Sequence, residues 1–198
     1  MLYAIIMAGG TGTRFWPASR TKLPKQLLNL ASDRTMIQTT VDRVREFVPV
    51  ERVLIVTNEA LVAPMAQQLP ELPWEAFLGE PCKRDTAPCV GLAAGIVRRR
   101  DENATMLVLP ADHVIPTTAQ FQAAVRTAEN LIDEDPRRIV TFGVRPTYAA
   151  ESFGYIERGE SLGAGVYRVR MFREKPRLPR AQEYVAAGSF YWNSGIFL

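Results

Sequence analysis

Three glycines follow the first apolar run of the chain, in the order Met7-Ala8-Gly9-Gly10-Thr11-Gly12-Thr13-Arg14. Glycine adopts backbone conformations closed to other residues and lets N–H groups approach a ligand closely. Successive backbone donors in such a loop form a nest that suits a polyphosphate, which makes Ala8, Gly9, Gly10, Gly12 and Thr13 candidate nucleotide-binding positions. Arg14 and Lys25 add full positive charge; Arg14 can fork two oxygens, whereas Lys25 is a compact point charge. The negative counterpart is Asp112, in Pro110-Ala111-Asp112-His113. A carboxylate on a loop can hold a divalent cation, because Mg²⁺ takes one or two carboxylates together with substrate phosphates. A helix-capping or solvated aspartate remains the alternative for Asp112, as does a plain strand-to-loop turn for the glycines. His113 is the single histidine; a general-base role is open to it, although a lone histidine beside a proline turn is more often structural.

Two familiar phosphate motifs are excluded. The dinucleotide fingerprint needs a third glycine three residues after the second, and from Gly10 and Gly12 that position is Phe15. The loop also runs on through Pro17 and Pro24 instead of entering a helix. The Gly-Lys-Ser/Thr of a Walker A loop is absent. A second stretch with chemical content is Glu80-Pro81-Cys82-Lys83-Arg84-Asp85-Thr86-Ala87-Pro88. Carboxylates accept hydrogen bonds only, so Glu80 or Asp85 could take N–H groups of a ligand; a capped helix start is the plainer reading. Further on, Phe153-Gly154-Tyr155-Ile156 offers close backbone approach, an aromatic face and a hydroxyl. Glu174-Lys175-Pro176 offers an acceptor for sugar hydroxyls and a cation for a phosphate, and Asn193-Ser194-Gly195 an amide. Taken singly, these three are ordinary.

The form GGTGTRFWPASR…PKQ resembles the signature of the sugar-nucleotide pyrophosphorylases, the nucleotidyl-1-phosphate transferases, and is most similar to their mannose-1-phosphate guanylyltransferase branch. The resemblance covers nearly the whole chain. It implies a nucleotidyltransferase that makes GDP-mannose and pyrophosphate from GTP and mannose 1-phosphate, with Arg14 and Lys25 as catalytic cations. It implies Mg²⁺ or Mn²⁺ at Asp112, with a second metal carboxylate beyond Leu198. Glu80, Arg84, Asp85, Thr86 and Pro88 then belong to a base- and ribose-reading loop, in which Asp85 stands where the family pattern has Asn. Gly154, Tyr155, Glu174, Lys175 and Asn193 then form a sugar-phosphate site. Two alternatives stay open: another NTP and sugar 1-phosphate pair, or a non-catalytic, nucleotide-sensing regulatory homologue.

The elements that must position these residues show the periodicities of an α/β fold. Apolar runs at 2–8, 53–56, 74–78, 105–109 and 138–143 suit buried strands. Helical spacing falls at 35–47, capped by Ser32 or Asp33, and at 58–68, capped by Asn58 with a kink at Pro64. A third helix falls at 89–100, capped by Thr86, and a fourth at 119–133. Strands alternating with helices imply a mixed, mainly parallel, Rossmann-like sheet with helices on both faces, of the GT-A-like kind that the resemblance suggests. From residue 151 the texture becomes β-rich: strands at 152–156, 166–169 and 171–173, turns at Gly159 and Gly163, and a short helix at 179–187. The expected organisation is one nucleotidyltransferase domain over 1–198. Residues 1–150 form its nucleotide half and 151–198 its sugar-phosphate half, with the C-terminus incomplete because the chain stops inside an apolar run. The chain has 198 residues, 47% hydrophobic and 23% charged, with net charge +3 and no Lys/Arg block. That balance argues for anionic small substrates over nucleic acid. No run approaches the roughly 20 apolar residues of a membrane span, and no signal peptide is evident. Cys82 and Cys89 read as free thiols in a reducing cytoplasm, so a cytoplasmic protein is expected; a homodimer is one open expectation, since the sequence does not fix the oligomeric state.

Overall fold

The structure is a computed structural model that describes residues 1–10, 15–20, 23–30, 33–82 and 84–198. Gly12, Thr13, Arg14 and Ser32, all singled out above, lie outside the described residues. The chain divides into two compact units, Met1–Val140 with Phe197–Leu198, and Thr141–Ile196.

The first unit is built on four parallel strands: β1 (Leu2–Met7), β2 (Val53–Asn58), β3 (Phe77–Glu80) and β4 (Thr105–Pro110). Their order is β3-β2-β1-β4. Ile5 packs with Tyr3, Leu54, Val56 and Val108 against Cys89, Ala93 and Val97. Its neighbours Ala4 and Ile6 point the other way by the pleat and are fully buried too, so the sheet is covered on both faces, as continuous apolar strands require. Met7 is paired with Val56 on one side and Pro110 on the other. The strand order therefore reverses at β1, and the crevice beyond the carboxyl ends of β1 and β4 is a topological switch point, where open α/β sheets bind ligands. The last strand, β8 (Phe190–Phe197), contributes its end to this unit: Phe197 pairs antiparallel with Val108, and Val140 and Leu198 exchange both backbone hydrogen bonds.

Four helices accompany these strands. In α1 (Met36–Arg45) the buried residues Met36, Ile37, Thr40, Val41 and Val44 recur at helical spacing. Its cap is Thr35, not Ser32 or Asp33: the Thr35 hydroxyl accepts from Gln38 N at 3.4 Å and Gln38 Oε1 accepts from Thr35 N at 3.0 Å. The glutamine three residues on is what selects Thr35. Asn58 caps a 3-10 turn, Glu59–Leu61, through Ala60 N. The helix α2 (Val62–Gln68) starts after it, so Pro64 lies in the first turn, where no helical N–H bond is lost and no kink is required. A 3-10 turn at Trp74–Ala76 takes the first residues expected of the third strand. The helix α3 (Thr86–Arg100) is entered from Asp85, whose side chain makes no cap bond; Thr86 is already helical and is not the cap. The helix α4 (Thr118–Glu134) follows the expected span within a residue at each end. Among the described residues no helix is long and apolar enough to cross a membrane.

In the second unit, β5 (Thr141–Val144) pairs with β8, where the sequence suggested a strand of the first half. The strands β6 (Tyr155–Gly163) and β7 (Val166–Arg173) form an antiparallel hairpin, and β6 also pairs with β8, Tyr155 opposite Trp192. Gly159 lies inside β6 rather than at a turn. The helix α5 (Leu178–Ala187) ends at Gly188, whose φ of 65° is the left-handed closure that glycine favours. Tyr184 of α5 stacks on Phe190, ring centroids 4.1 Å apart.

Because the Thr35–Gln38 box satisfies two helix-end donors, Thr35→Ala should lower the unfolding free energy by about 1 kcal/mol, read from urea denaturation. A loss within error would show that the box contributes nothing.

Candidate functional site

The turn after β1 is held from behind. Ala8 N donates to Val56 O at 2.7 Å. Ala8 O accepts from Gln26 Nε2 at 3.0 Å and from the Thr57 hydroxyl at 3.1 Å. Gln26 Nε2 also donates to Gly10 O at 3.0 Å. Gln26 is only 2% exposed and belongs to the 3-10 turn Lys25–Leu27. The neighbouring Lys25 ammonium pairs with the Asp112 carboxylate, and both side chains are part-exposed. A methyl group on Gly10 would lie 3.4 Å from Lys25 Cε and from Gln26 Nε2. The described glycines, Lys25 and Asp112 therefore meet at the carboxyl ends of β1 and β4.

The Asp112 loop is braced in the same way. Ala111 N donates to Met7 O at 3.0 Å. From α1, the Thr40 hydroxyl donates to Ala111 O at 3.3 Å and Arg43 Nη2 to His113 O at 3.1 Å. Thr40 and Arg43 are three residues apart on one helix face, so a single helix grips the carbonyls on either side of Asp112. The Arg43 guanidinium is buried and lies 5.9 Å from the Phe121 ring centroid, within cation–π range. Burial, then the charges of Arg43 and Lys25, push the His113 imidazole down to about 4. It is neutral at neutral pH and a weak base, in keeping with a structural role.

Glu80, the last residue of β3, is 7% exposed. Its Oε2 lies 3.1 Å from where a Cβ on Gly9 would stand, so the carboxylate rests on the glycine turn. Burial raises its pKa above the ordinary carboxylate value. Behind it, burial and then the Glu80 charge push the Cys89 thiol up to about 12. Arg84, Asp85, Thr86 and Pro88 are exposed. Asp85 has φ 61° and ψ −155°, a region that only glycine visits without strain.

The second unit groups Gly154, Glu174, Lys175 and Asn193. A methyl on Gly154 would stand 2.9 Å from Phe172 Cζ and 3.3 Å from Glu174 Oε2. Asn193 N donates to Gly154 O at 2.8 Å, and Asn193 Oδ1 accepts from Gly195 N at 3.0 Å. Lys175 and Glu174 form an exposed ion pair at 2.7 Å. Tyr155 departs from the expectation of a stacking face and free hydroxyl. Its side chain is fully buried, its hydroxyl donates to Ala150 O and accepts from Ala150 N, and its ring leans on Tyr184. As the first residue of β6 it alternates into the core, so its side chain has nothing left for a sugar.

Among the described residues no three Asp, Glu, His or Cys side chains gather into a metal cage. Asp112 supplies one hard oxygen donor beside a lysine, which fits an Mg²⁺-type ion that shares its ligands with phosphates. Sequence reasoning missed Gln26, Thr57, Thr40 and Arg43. Only Gln26 carried a signal, as part of the Pro24-Lys25-Gln26 triplet.

A family model described as nucleotidyl transferase matches residues 3–198. The chain belongs to the nucleotidyl transferase family. Within that family it is 44% identical over 207 residues to mannose-1-phosphate guanylyltransferase of Escherichia coli strain K12, covering 100% of this chain and 42% of that protein. It is 43% identical over 196 residues to mannose-1-phosphate guanylyltransferase of Sinorhizobium fredii, covering 98% of this chain and 38% of that protein. The chain thus spans about two fifths of the length of these curated relatives. A crystal structure from Thermus thermophilus, described as a mannose-1-phosphate geranyltransferase, superposes with a TM-score of 0.85 at 36% identity, covering 99% of this chain and 56% of that one.

Two outcomes follow from the Glu80 environment. A carboxyl whose pKa is raised by folding binds its proton more tightly in the native state, so stability falls as pH rises above about 4.5. Glu80→Gln should therefore be at least as stable as wild type at neutral pH, its advantage fading below about 4.5, measured by urea denaturation. A variant less stable at neutral pH would mean that the carboxylate gains more from its neighbours than burial costs it. With a thiol reagent, exposed Cys82 should react in the native protein and Cys89 only on unfolding; rapid native labelling of both would contradict the burial of Cys89.

Proposed function

We propose that this chain forms the GTP- and sugar-phosphate-handling part of a mannose-1-phosphate guanylyltransferase, joining GTP and mannose 1-phosphate into GDP-mannose and pyrophosphate. The observation that carries the reading is the Lys25 ammonium beside the Asp112 carboxylate at the Gly9–Gly10 turn. A cation, an oxygen ligand and part-exposed glycine backbone are the groups a nucleoside triphosphate needs. The names of the Escherichia coli and Sinorhizobium fredii relatives support guanine and mannose as the base and sugar.

In this reading a phosphate oxygen of mannose 1-phosphate attacks the α-phosphorus of GTP. One P–O bond forms, the bond to the β-phosphate oxygen breaks, and pyrophosphate leaves with the electron pair. Arg14 and Lys25 hold the triphosphate and offset the charge that builds on the leaving oxygens. A divalent cation, when bound, would neutralise phosphate charge, and Asp112 would hold it. Glu80, with the exposed 84–88 segment, is assigned to the base and ribose: a carboxylate accepts from N1–H and the 2-amino group of guanine and has no donor for the oxygens of a pyrimidine. Gly154, Glu174, Lys175 and Asn193 are assigned to mannose 1-phosphate, with Lys175 on its phosphate; for Tyr155 only the backbone remains available.

Arg14→Ala and Lys25→Ala should each lower turnover by roughly 10²-fold or more, the order expected for losing a charge-stabilising donor, with circular dichroism unchanged. Activity should vanish in excess chelator and return with Mg²⁺ or Mn²⁺. Assayed on the intact protein with four NTPs and several sugar 1-phosphates, GTP with mannose 1-phosphate should be the preferred pair. Near-normal turnover in both variants, or preference for another pair, would overturn the reading.

A further inference from the structure

We infer that Gln26 is a positioning residue that aims the glycine turn and Lys25 at the nucleotide's phosphates; this rests on the reading above. Its side-chain amide has two hydrogens, and both are used on this turn, one on Ala8 O and one on Gly10 O, each at 3.0 Å. The opposite amide orientation would set Oε1 against two carbonyl oxygens, so the orientation is fixed by its partners. Gln26 Oε1 is buried and has no hydrogen-bond partner among the described residues. Buried orphan acceptors are rare in native structures, and each calls for a cause. Here both amide hydrogens are committed to the turn carbonyls, so the amide is not free to rotate in search of a donor for its oxygen.

Holding those carbonyls determines where the loop's donors point. In a trans peptide the N–H lies opposite the C=O. Ala8 O is clamped by Gln26 from one element and by the buried Thr57 hydroxyl of β2 from another. Both lone pairs of that oxygen are engaged, so the Gly9 N–H is directed to the far side of the turn. Gln26 also fixes its neighbour. Lys25 and Gln26 are consecutive in one short 3-10 turn, and the buried Gln26 anchor sets the base from which the Lys25 chain reaches past Gly10 to Asp112. One side chain thereby registers the backbone donors and the cation against each other.

The test compares GTP with GMP, which lacks the β- and γ-phosphates, by calorimetric titration of the intact wild-type protein and of Gln26→Leu, Gln26→Glu and Thr57→Val. Gln26→Leu should weaken GTP about tenfold or more and leave GMP within about twofold. It should raise KM for GTP and leave KM for mannose 1-phosphate unchanged. Thr57→Val, which removes one of the two clamps on Ala8 O with little change of shape, should shift GTP in the same sense by a smaller factor; it decides the matter alone if Gln26→Leu does not fold. Gln26→Glu carries a signature that mere packing lacks: its protonated carboxyl can donate to one carbonyl, so the ratio of variant to wild-type dissociation constants for GTP should fall as the pH is lowered. Equal losses for GTP and GMP, no loss in the folded variants, or a ratio flat with pH would overturn the inference. Wild-type protein that binds no GTP would overturn the reading of the site itself, and the inference with it.

Discussion

Everything at this site depends on the parallel pairing of β1 with both β2 and β4. Because β4 returns to the far side of β1, the peptides after Met7 and Pro110 emerge side by side. Without that reversal of strand order, Gly9 and Asp112, more than a hundred residues apart in sequence, would have no reason to share a crevice. The pairing is made secure by burial on both faces. Val53 to Val56, Ala4 to Ile6 and Leu107 to Leu109 are all essentially inaccessible, so a slip of one residue would exchange two buried faces and disturb packing above and below the sheet together. A rigid edge follows, and the groups presented there inherit its precision.

Behind the edge lies a layer of buried polar side chains. Gln26, Thr57, Thr40 and Arg43 donate to the carbonyls of Ala8, Gly10, Ala111 and His113. Loop backbone that leaves a strand end loses its ladder partners, and buried carbonyls need replacements. Side chains supply them here, and in doing so they fix the orientation of the peptides they hold. The charged groups in front, Lys25 and Asp112, are then the part-exposed ends of a scaffold held by neutral hydrogen bonds and one buried guanidinium.

The sequence displayed the sheet plainly, because period, length and residue type coincided in 2–7, 53–58 and 105–110, and the family signature lay in one contiguous stretch. It displayed less of what depends on distant partners. Thr35 outcompeted Asp33 as a cap only because Gln38 stands three residues on. Tyr155 looked like a ligand-facing aromatic until the pairing of β6 with β8 fixed the face on which it lies. Thr40 and Arg43 gave no signal, since a threonine and an arginine on a helix are unremarkable until that helix is packed beneath the Asp112 loop. Gln26 could be seen in its triplet, but its use could not, because it is set by carbonyls sixteen and eighteen residues away.

The contact between Gly9 and Glu80 limits which sequences can carry this arrangement. The carboxylate oxygen stands 3.1 Å from the space a side chain on residue 9 would need, and the Gly9 backbone leaves a fully packed strand that cannot retreat. A side chain at 9 would thus require the Glu80 carboxylate to move aside by a few tenths of an ångström. The two positions, one on the glycine turn and the other at the end of β3, therefore constrain each other's side chains although they are seventy-one residues apart.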